Sequence, residues 1–514
     1  MASPTKSCML DPIPTFLLKE VVDDLLPFLT AMVNTSLREG YVPGSQKHAV
    51  VSPLLKKSSL DPAEMKNYRP VSNLTFTSKL VERIVTEQLV QYLNANGLMP
   101  QLQSAYRRHH STETALLRVL SDIFAATDKQ CVTLLGLLDL SAAFDCVDHT
   151  ILLNRLQNVF GVDGVILEWM TSFLYDRTQQ VSYNGSTSAI IRLLYGIPQG
   201  SVLGPLLYLL YTAELFDIIA RCGLTAHCYA DDTQVYVSAP AADGPATVDR
   251  FKVCVEQIES WLRCNRLRMN TEKTQVIWLG TSQQIAKVGV DEIQLSSARV
   301  HVSTSVIDLG FSIDDQLSMS THIASICRSC HFQLRQLRAV RRSLTTAAAK
   351  TLVHAFVGGR IDYCNSLLSG VSDSLIQRLQ LIQNAAARLV TGVRKFDHIS
   401  STLRDLHWLP VRQRITYKVA LLVFKCLHGL APSYLADDCI PVSTLAGRQQ
   451  LRSADTGVLF VPRSRTSIGA RSFAINGPTV WNKLPAELRS LNSSAETFAK
   501  RFKTHLMTNC YNCY

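Results

Sequence analysis

The run CVTLLGLLDL, Cys131 to Leu140, constrains the fold of this chain more than any other segment. Eight uncharged, β-prone residues lead without interruption into Asp139. Such a continuous run reads as a strand buried on both faces, because a strand with one wet face would alternate apolar and polar residues. Further on, LTAHCYADDTQVYVS, 224–238, sets two adjacent carboxylates, Asp231 and Asp232, between two more apolar, β-prone runs. That pattern predicts a hairpin with the acids at its bend.

Adjacent like charges carry a cost that something must offset. If the hairpin and the buried strand are neighbours, Asp139, Asp231 and Asp232 meet at one edge of a sheet. Convergent carboxylates suit magnesium, a hard ion that prefers oxygen ligands, and pairs of such ions promote nucleotidyl transfer. An aspartate at a strand end is ordinarily a cap, and an Asp-Asp bend is ordinarily solvated. The three acids by themselves therefore leave both readings open.

The rest of the chain supplies an order. Residues 1–45 show apolar residues at helical spacing with proline breaks, closing on Gly40. HAVVSPLLKK is strand-like. Thr77–Gly97 predicts an amphipathic helix with Leu80, Ile84, Leu89 and Leu93 along one side, and Ser111–Ala126 a second helix opening on capping residues. HTILLNRLQNVFG reads as a helix stopped by Gly161, and QQVSYNG as a strand with an Asn-Gly turn. After GIPQGSVLGP an apolar helix is expected through Ala220. PAADGPATVDR reads as a small-residue linker. Phe251, Val255, Ile258 and Leu262 make one helical stripe, and TQVIWLG returns as a strand. The central order, strand–helix–strand–helix–hairpin–helix–strand, suits a split βαβ arrangement. From about Ser320 onward the pattern is helical.

With 514 residues, 47% hydrophobic and 18% charged, the chain is globular and larger than one simple domain. Its net charge of +11 is uneven: residues 1–250 hold 19 basic against 24 acidic residues, and the remainder 33 against 17. The first half can supply carboxylates and the second a grip on phosphates. Arg335, Arg338, Arg341 and Arg342, three or four apart in FQLRQLRAVRRS, are expected on one helix face. Fourteen scattered cysteines and no signal-peptide pattern imply a reducing compartment with free thiols. Cys327 and Cys330 form a C-x-x-C pair followed by His331, which is too few ligands for an ordinary zinc site. The longest apolar stretch, Leu193–Ala220, is broken by Pro198, Gly200 and Pro205 and carries Glu214 and Asp217, so it makes a poor membrane span.

Four segments in sequence order carry a family resemblance: LLDLSAAFDCVDH at 137–149, GIPQGSVLGPLLY at 196–208, YADDTQVYV at 229–237 and LRMNTEKTQVIWLG at 267–280. They resemble the A, B, C and D motifs of reverse transcriptases. NYRPVSNLTFTSKLVERIV at 67–85 and QSAYRRHHSTETALL at 103–117 resemble the fingers segments, and VIDLGFSIDDQLSMSTHI at 306–323 the primer-grip region. The likeness is to the LINE-type, non-LTR retrotransposon polymerases. It extends through QRLQLIQNAAARLVTG, LHWLPVRQRITYKVALLVFKCLHGLAPSYL and GPTVWNKLPAELR, similar to the C-terminal half of several animal LINE clades.

The resemblance implies an α+β, right-hand polymerase with fingers, a split βαβ palm and a helical thumb, followed by a mainly helical C-terminal region. By position it divides the chain into an N-terminal helical extension (1–45), fingers and palm (46–285), primer grip and thumb (286–390) and a C-terminal helical region (391–514). It implies an RNA-directed DNA polymerase that extends a DNA primer or target 3′ end on an RNA template with dNTPs and two magnesium ions, for which manganese can substitute. Asp139, Asp231 and Asp232 would bind the metals, with the Leu140 carbonyl also facing one. Phe144 looks like a steric gate against the 2′-OH, the other reading being core packing. Gln199 and Gly200 would lie against the incoming base and template. Lys273 holds the place of the general acid for pyrophosphate, and Arg69 and Lys57 face the triphosphate. Arg107 and Arg108 suit template contact, and Tyr229 packs beneath the hairpin.

LINE frames of this type normally carry an endonuclease ahead of the polymerase. The residues before Asp139 are taken up by the fingers matches, so the expectation is a chain lacking that nuclease. Its expected setting is a nuclear or cytoplasmic ribonucleoprotein, neither secreted nor membrane-bound. Two other readings compete: a relic that binds RNA without chemistry, and an RNA-dependent RNA polymerase, against which Phe144 and Ala230 both argue.

Overall fold

The computed structural model describes residues 8–141, 144–295, 298–445, 457–489 and 493–511. Two helices open the chain, α1 (Thr15–Glu20) and α2 (Val22–Arg38), and Gly40 closes them. Strands β1 (His48–Leu55) and β2 (Tyr68–Asn73) follow as an antiparallel pair. Helix α3 (Phe76–Ala95) begins where the Thr75 hydroxyl accepts the Ser78 N–H. Its buried side is turned from the one expected: Val81, Val85, Leu89 and Leu93 point inward, while Leu80 and Ile84 are only half-buried. That rotation also carries Glu82 into the interior. Helix α4 (Thr112–Asp128) opens with a reciprocal box between Ser111 and Thr114.

The apolar run forms β3 (Cys131–Leu138), continued by the short β4 (Leu140–Ser141). Helices α5 (His149–Asn158) and α6 (Gly164–Leu174) lead to β5 (Thr178–Tyr183), a tight turn at Asn184–Gly185, β6 (Ser186–Thr187) and β7 (Ile191–Arg192). The expected single helix after GIPQGSVLGP is two, α7 (Gly204–Tyr211) and α8 (Leu215–Arg221). Thr212 caps the first: its N–H closes the last helical bond to the Tyr208 carbonyl, and its hydroxyl bonds to the same oxygen. Strands β8 (Thr225–Tyr229) and β9 (Asp232–Pro240) form the hairpin. The expected linker is instead a helical turn, Ala241–Asp243, running into α9 (Gly244–Cys264). Pro245 sits where a first-turn N–H has no helical partner to lose, so the small, proline-containing segment starts a helix. Strands β10 (Arg268–Met269) and β11 (Gln275–Leu279), a one-turn α10 (Ser282–Ile285), and the hairpins β12–β13 (Glu292–Leu295, Ala298–His301) and β14–β15 (Ser305–Asp308, Phe311–Asp314) precede α11 (Ser320–Val340).

The chain resolves into two compact units interleaved in sequence. The first comprises Met1–Tyr106, Asp139–Arg221 and Cys254–Asn270. Its main sheet runs β2-β1-β5-β6, with β7 on β5 and with β1 parallel to β5. The QQVSYNG strand thus joins this sheet and not the one built on β3, a difference that strand order alone could not reveal. The same unit holds a buried Arg155, paired with Glu214 at 2.7 Å and with the Asn265 side chain at 2.9 Å.

The second unit comprises Arg107–Leu138, Cys222–Val253 and Thr271–Tyr514. Its sheet, in the order β11-β3-β9-β8, is antiparallel throughout. Val132, Leu134 and Leu135 of β3 have no exposed surface, as the unbroken apolar run demands. Within that run Gly136 carries no side chain because the Phe251 ring lies against its backbone: a Cβ there would stand 2.4 Å from the ring. The rest of this unit is mainly helical. Phe424 stacks on Phe498 with ring centroids 4.3 Å apart, and Trp481 closes the same cluster. The segments 411–427, 473–482 and 495–511 therefore share a core of their own. Among the described residues no helix is long and apolar enough to cross a membrane.

Replacing Gly136 by alanine drives a methyl into the Phe251 ring and is expected to destabilise by about 1–3 kcal/mol. Adding Phe251→Leu should recover part of that loss in denaturant titrations, and equal stability of the single variant and the parent would refute the contact.

Candidate active site

The hairpin turn is two residues long. Tyr229 pairs with Asp232, leaving Ala230 and Asp231 at the bend. Ala230 has φ +59°, a conformation an alanine rarely adopts, so the bend holds a strained residue directly before the acids. Asp231 is half-buried and Asp232 exposed. Behind them Cys228 is wholly buried, and that burial pushes its thiol up to about 12, too high to act as a nucleophile. Strand β3 ends with Leu138 opposite Thr233, the residue after Asp232. Asp139 is the next residue along the chain, directly after the end of that strand.

One further acid lies close to this hairpin. Asp308, on β14, is buried and accepts a 2.8 Å hydrogen bond from the Gln234 side chain. Burial raises its carboxyl to about 7, with Asp232 adding to the effect. The sequence reading passed over Asp308, although a signal was present. In Ser305–Asp308 it alternates onto the same buried face as Val306, an unusual place for a carboxylate.

The first unit holds the other half of the motif residues. Asn270 donates its N–H to the Asp139 carbonyl at 2.8 Å. The next pair, Leu140 with Met269, is then of the non-bonded kind, which turns the Leu140 carbonyl away from β10. Phe144 is half-buried and stacks on Tyr208, centroids 4.6 Å apart, while its carbonyl accepts the Ile197 N–H. The ring therefore has a fixed wall behind it and one side outside the core. Asp145, raised by burial, accepts the Gln199 amide through both oxygens at 2.9 and 3.0 Å. Gln199 in turn accepts the Ser72 N–H from β2 at 2.7 Å. Gly200 has φ +140°, and a Cβ there would lie 2.3 Å from the Ser72 carbonyl oxygen. No other residue type fits that crossing. A cleft of about 360 Å³ opens here, lined by Val51, Pro70, Ser72, Asp145, Tyr195 and Gln199.

The cationic candidates fall in different settings. Arg69 is exposed on β2 opposite Leu54, and Lys57 is exposed just past the end of β1. Lys273 is exposed in the turn ahead of β11, not at a strand start. Arg108 is exposed; Arg107 is half-buried, and burial pulls it below the usual arginine range. Arg335 and Arg338 are exposed on α11, and Arg342 just beyond it. Arg341 is a correction. The helix has ended by then, and its guanidinium donates to the carbonyls of Leu389, Val390 and Leu344. It caps the helix Asp373–Thr391, whose last carbonyls lack partners. Cys327 and Cys330 are both buried on α11, and burial raises Cys330 to about 11.

Residues 54–311, half of the chain, match the family model of the reverse transcriptase (RNA-dependent DNA polymerase), and the chain belongs to that family. Within it, the likeness is to LINE-type, non-LTR retrotransposon polymerases. The chain is 27% identical over 421 residues to the probable RNA-directed DNA polymerase from transposon BS of Drosophila melanogaster, covering 80% of this chain and 46% of that protein. It is 24% identical over 392 residues to the RNA-directed DNA polymerase from mobile element jockey of the same species, covering 75% and 42%. The chain thus spans less than half the length of these curated relatives. Among solved structures, apo telomerase from Candida tropicalis aligns with a TM-score of 0.41 at 12% identity, over 84% of this chain and 73% of that one.

Asp308 supplies a pH signature. Its folded carboxyl is raised above the unfolded value, so it favours the folded state below about pH 4 and this advantage is lost as pH rises through about 7. Asp308→Asn mimics the protonated form. Wild type should lose stability relative to that variant across this window, and parallel stability curves would show that Asp308 is not buried as described.

Proposed function

We propose that the chain is an RNA-directed DNA polymerase of a LINE-like retroelement, extending a DNA 3′ end on an RNA template with dNTPs. The observation that carries this reading is the register of β3 with β9, which brings the strand running into Asp139 alongside the hairpin bearing Asp231 and Asp232. Among the described residues no group of three or more His, Cys, Asp or Glu side chains forms a ready-made metal cage. Magnesium is commonly held by one or two carboxylates completed by substrate phosphates, so such a sparse set of acids fits it. Asp139, Asp231 and Asp232, with the outward Leu140 carbonyl, would hold two magnesium ions, or manganese in their place. When bound, these ions lower the barrier to attack by the primer hydroxyl and to departure of pyrophosphate.

The remaining roles follow from the chain's own groups. Phe144, backed by Tyr208, is a rigid wall suited to excluding a 2′-OH. Gln199 lines the cleft where the incoming base and template would lie, with Gly200 next to it, both fixed against Ser72. Lys273 is the proton donor for pyrophosphate, and Arg69 and Lys57 neutralise the triphosphate. Arg107, Arg108, Arg335, Arg338 and Arg342 contact the phosphates of the template and the DNA primer or target; Arg341 is withdrawn from that set. A ribonucleoprotein in the nucleus or cytoplasm is the setting this activity requires.

Primer extension on an RNA template tests the proposal. Wild type should extend with dNTPs, and Asp231→Ala should lower the rate by at least about 10²–10³-fold. RNA binding without extension would leave only a binding protein. Phe144→Val should admit ribonucleotides, raising their incorporation relative to dNTPs by on the order of 10-fold or more; unchanged sugar discrimination would remove Phe144 from the gate.

A further inference from the structure

The residue that holds the GIPQGS loop in place has so far been given no role of its own, although it falls within the fingers-like segment 67–85. Glu82 on α3 is 1% exposed, an expensive location for a carboxylate unless its oxygens are fully used. They are. One oxygen, Oε2, accepts three hydrogens: from the Ser201 hydroxyl at 2.5 Å, the Val202 N–H at 2.7 Å and the Leu203 N–H at 3.1 Å. The other, Oε1, accepts from the Ser78 hydroxyl at 3.1 Å. Ser201 in turn accepts the Gly204 N–H at 2.9 Å. The donors at the start of α7 are therefore gathered, directly or through one hydroxyl, by a single side chain from another helix. The charge of Glu82 also acts on Arg177, itself 1% exposed and bonded to the Phe173 carbonyl.

The same loop is tied at its other end. Ser72 holds the Gln199 carbonyl, and its own carbonyl oxygen lies where a Gly200 Cβ would be. Between the Ser72 tie and the Glu82 tie, residues 199–203 have no slack. Where Gln199 and Gly200 stand is thus set from outside the loop, by β2 and α3.

We infer that Glu82 is a positioning residue for nucleotide binding: it clamps Ser201, Val202 and Leu203 and so fixes Gln199 and Gly200 at the cleft. The inference rests on the polymerase reading for what Gln199 and Gly200 meet, but not for the clamp itself. Loss of Glu82 would free three donors of the loop at once and let the loop move away from Ser72. Its effect should fall on the KM for dNTP more than on kcat, because Glu82 lies one shell behind the residues that would meet substrate.

Two readouts on the full chain test this. Amide hydrogen exchange at Val202 and Leu203, without nucleic acid, should accelerate by about 10-fold or more in Glu82→Ala, since hydrogen bonds to a buried charge are among the stronger ones. Glu82→Gln keeps one acceptor oxygen and should fall between the two; it also carries the test if the alanine variant fails to fold. In primer extension, the KM for dNTP should rise about 10-fold in Glu82→Ala with kcat changed less, and Glu82→Gln should recover part of the loss. Unchanged exchange in both variants overturns the clamp, and raised exchange with an unchanged KM overturns the positioning role. If wild type fails to extend while exchange rises in the variants, the polymerase reading fails and the clamp stands.

Discussion

The antiparallel pairing of β3 with β9, Leu138 opposite Thr233, is the constraint on which the candidate site rests. Side chains alternate along a strand, so a slip of one residue would reverse every inward and outward position. The two packed faces of β3 would be exchanged, and the end of the strand would move away from the start of β9 at Asp232. The register is held by burial on both faces of β3 and by the fit of Phe251 over Gly136, a contact that only one alignment of α9 and β3 permits. Apolar packing within the sheet therefore fixes where the hairpin bend with Asp231 and Asp232 falls relative to the end of β3.

Buried charges do most of the remaining positioning. Glu82 gathers the donors at the start of α7, Arg155 joins Glu214 and Asn265, and Asp308 is fastened to Gln234. Each is costly to bury unless its hydrogen bonds are made. Each therefore favours one arrangement of the elements it joins over near alternatives that hydrophobic contact alone would tolerate. Asp308 marks the limit of this device: with one hydrogen bond to one oxygen, its environment favours the neutral acid.

Much of the fold was legible because it rests on local pattern. The run 131–138 could only be a strand buried on both sides, and the hairpin acids sat at a turn between two β-prone runs. The stripe Phe251, Val255, Ile258 and Leu262 is buried as its spacing requires. What was misread depended on neighbours distant in sequence. Leu80 and Ile84 are as apolar as Val81 and Val85, and only the packing partners of α3 decide which pair faces in. PAADGPATVDR has loop composition, yet its prolines sit where a helix can begin. Arg341 shares the spacing of Arg335 and Arg338, but the helix ends before it and leaves it facing the unpaired carbonyls of Leu389 and Val390.

The sequence by itself determined the family, the order of the strands and helices around the four motifs, and where along them Asp139, Asp231 and Asp232 stand. These depend on residue type and spacing, which a chain carries whether or not it is folded. Tertiary structure alone decided that β5 joins β1 and not the β3 sheet, that Glu82 and Asp308 lie inside, and that Gly200 crosses Ser72. Those outcomes depend on which surfaces meet, and a carboxylate that is cheap in water becomes a structural anchor only when other elements close around it and supply its hydrogen bonds.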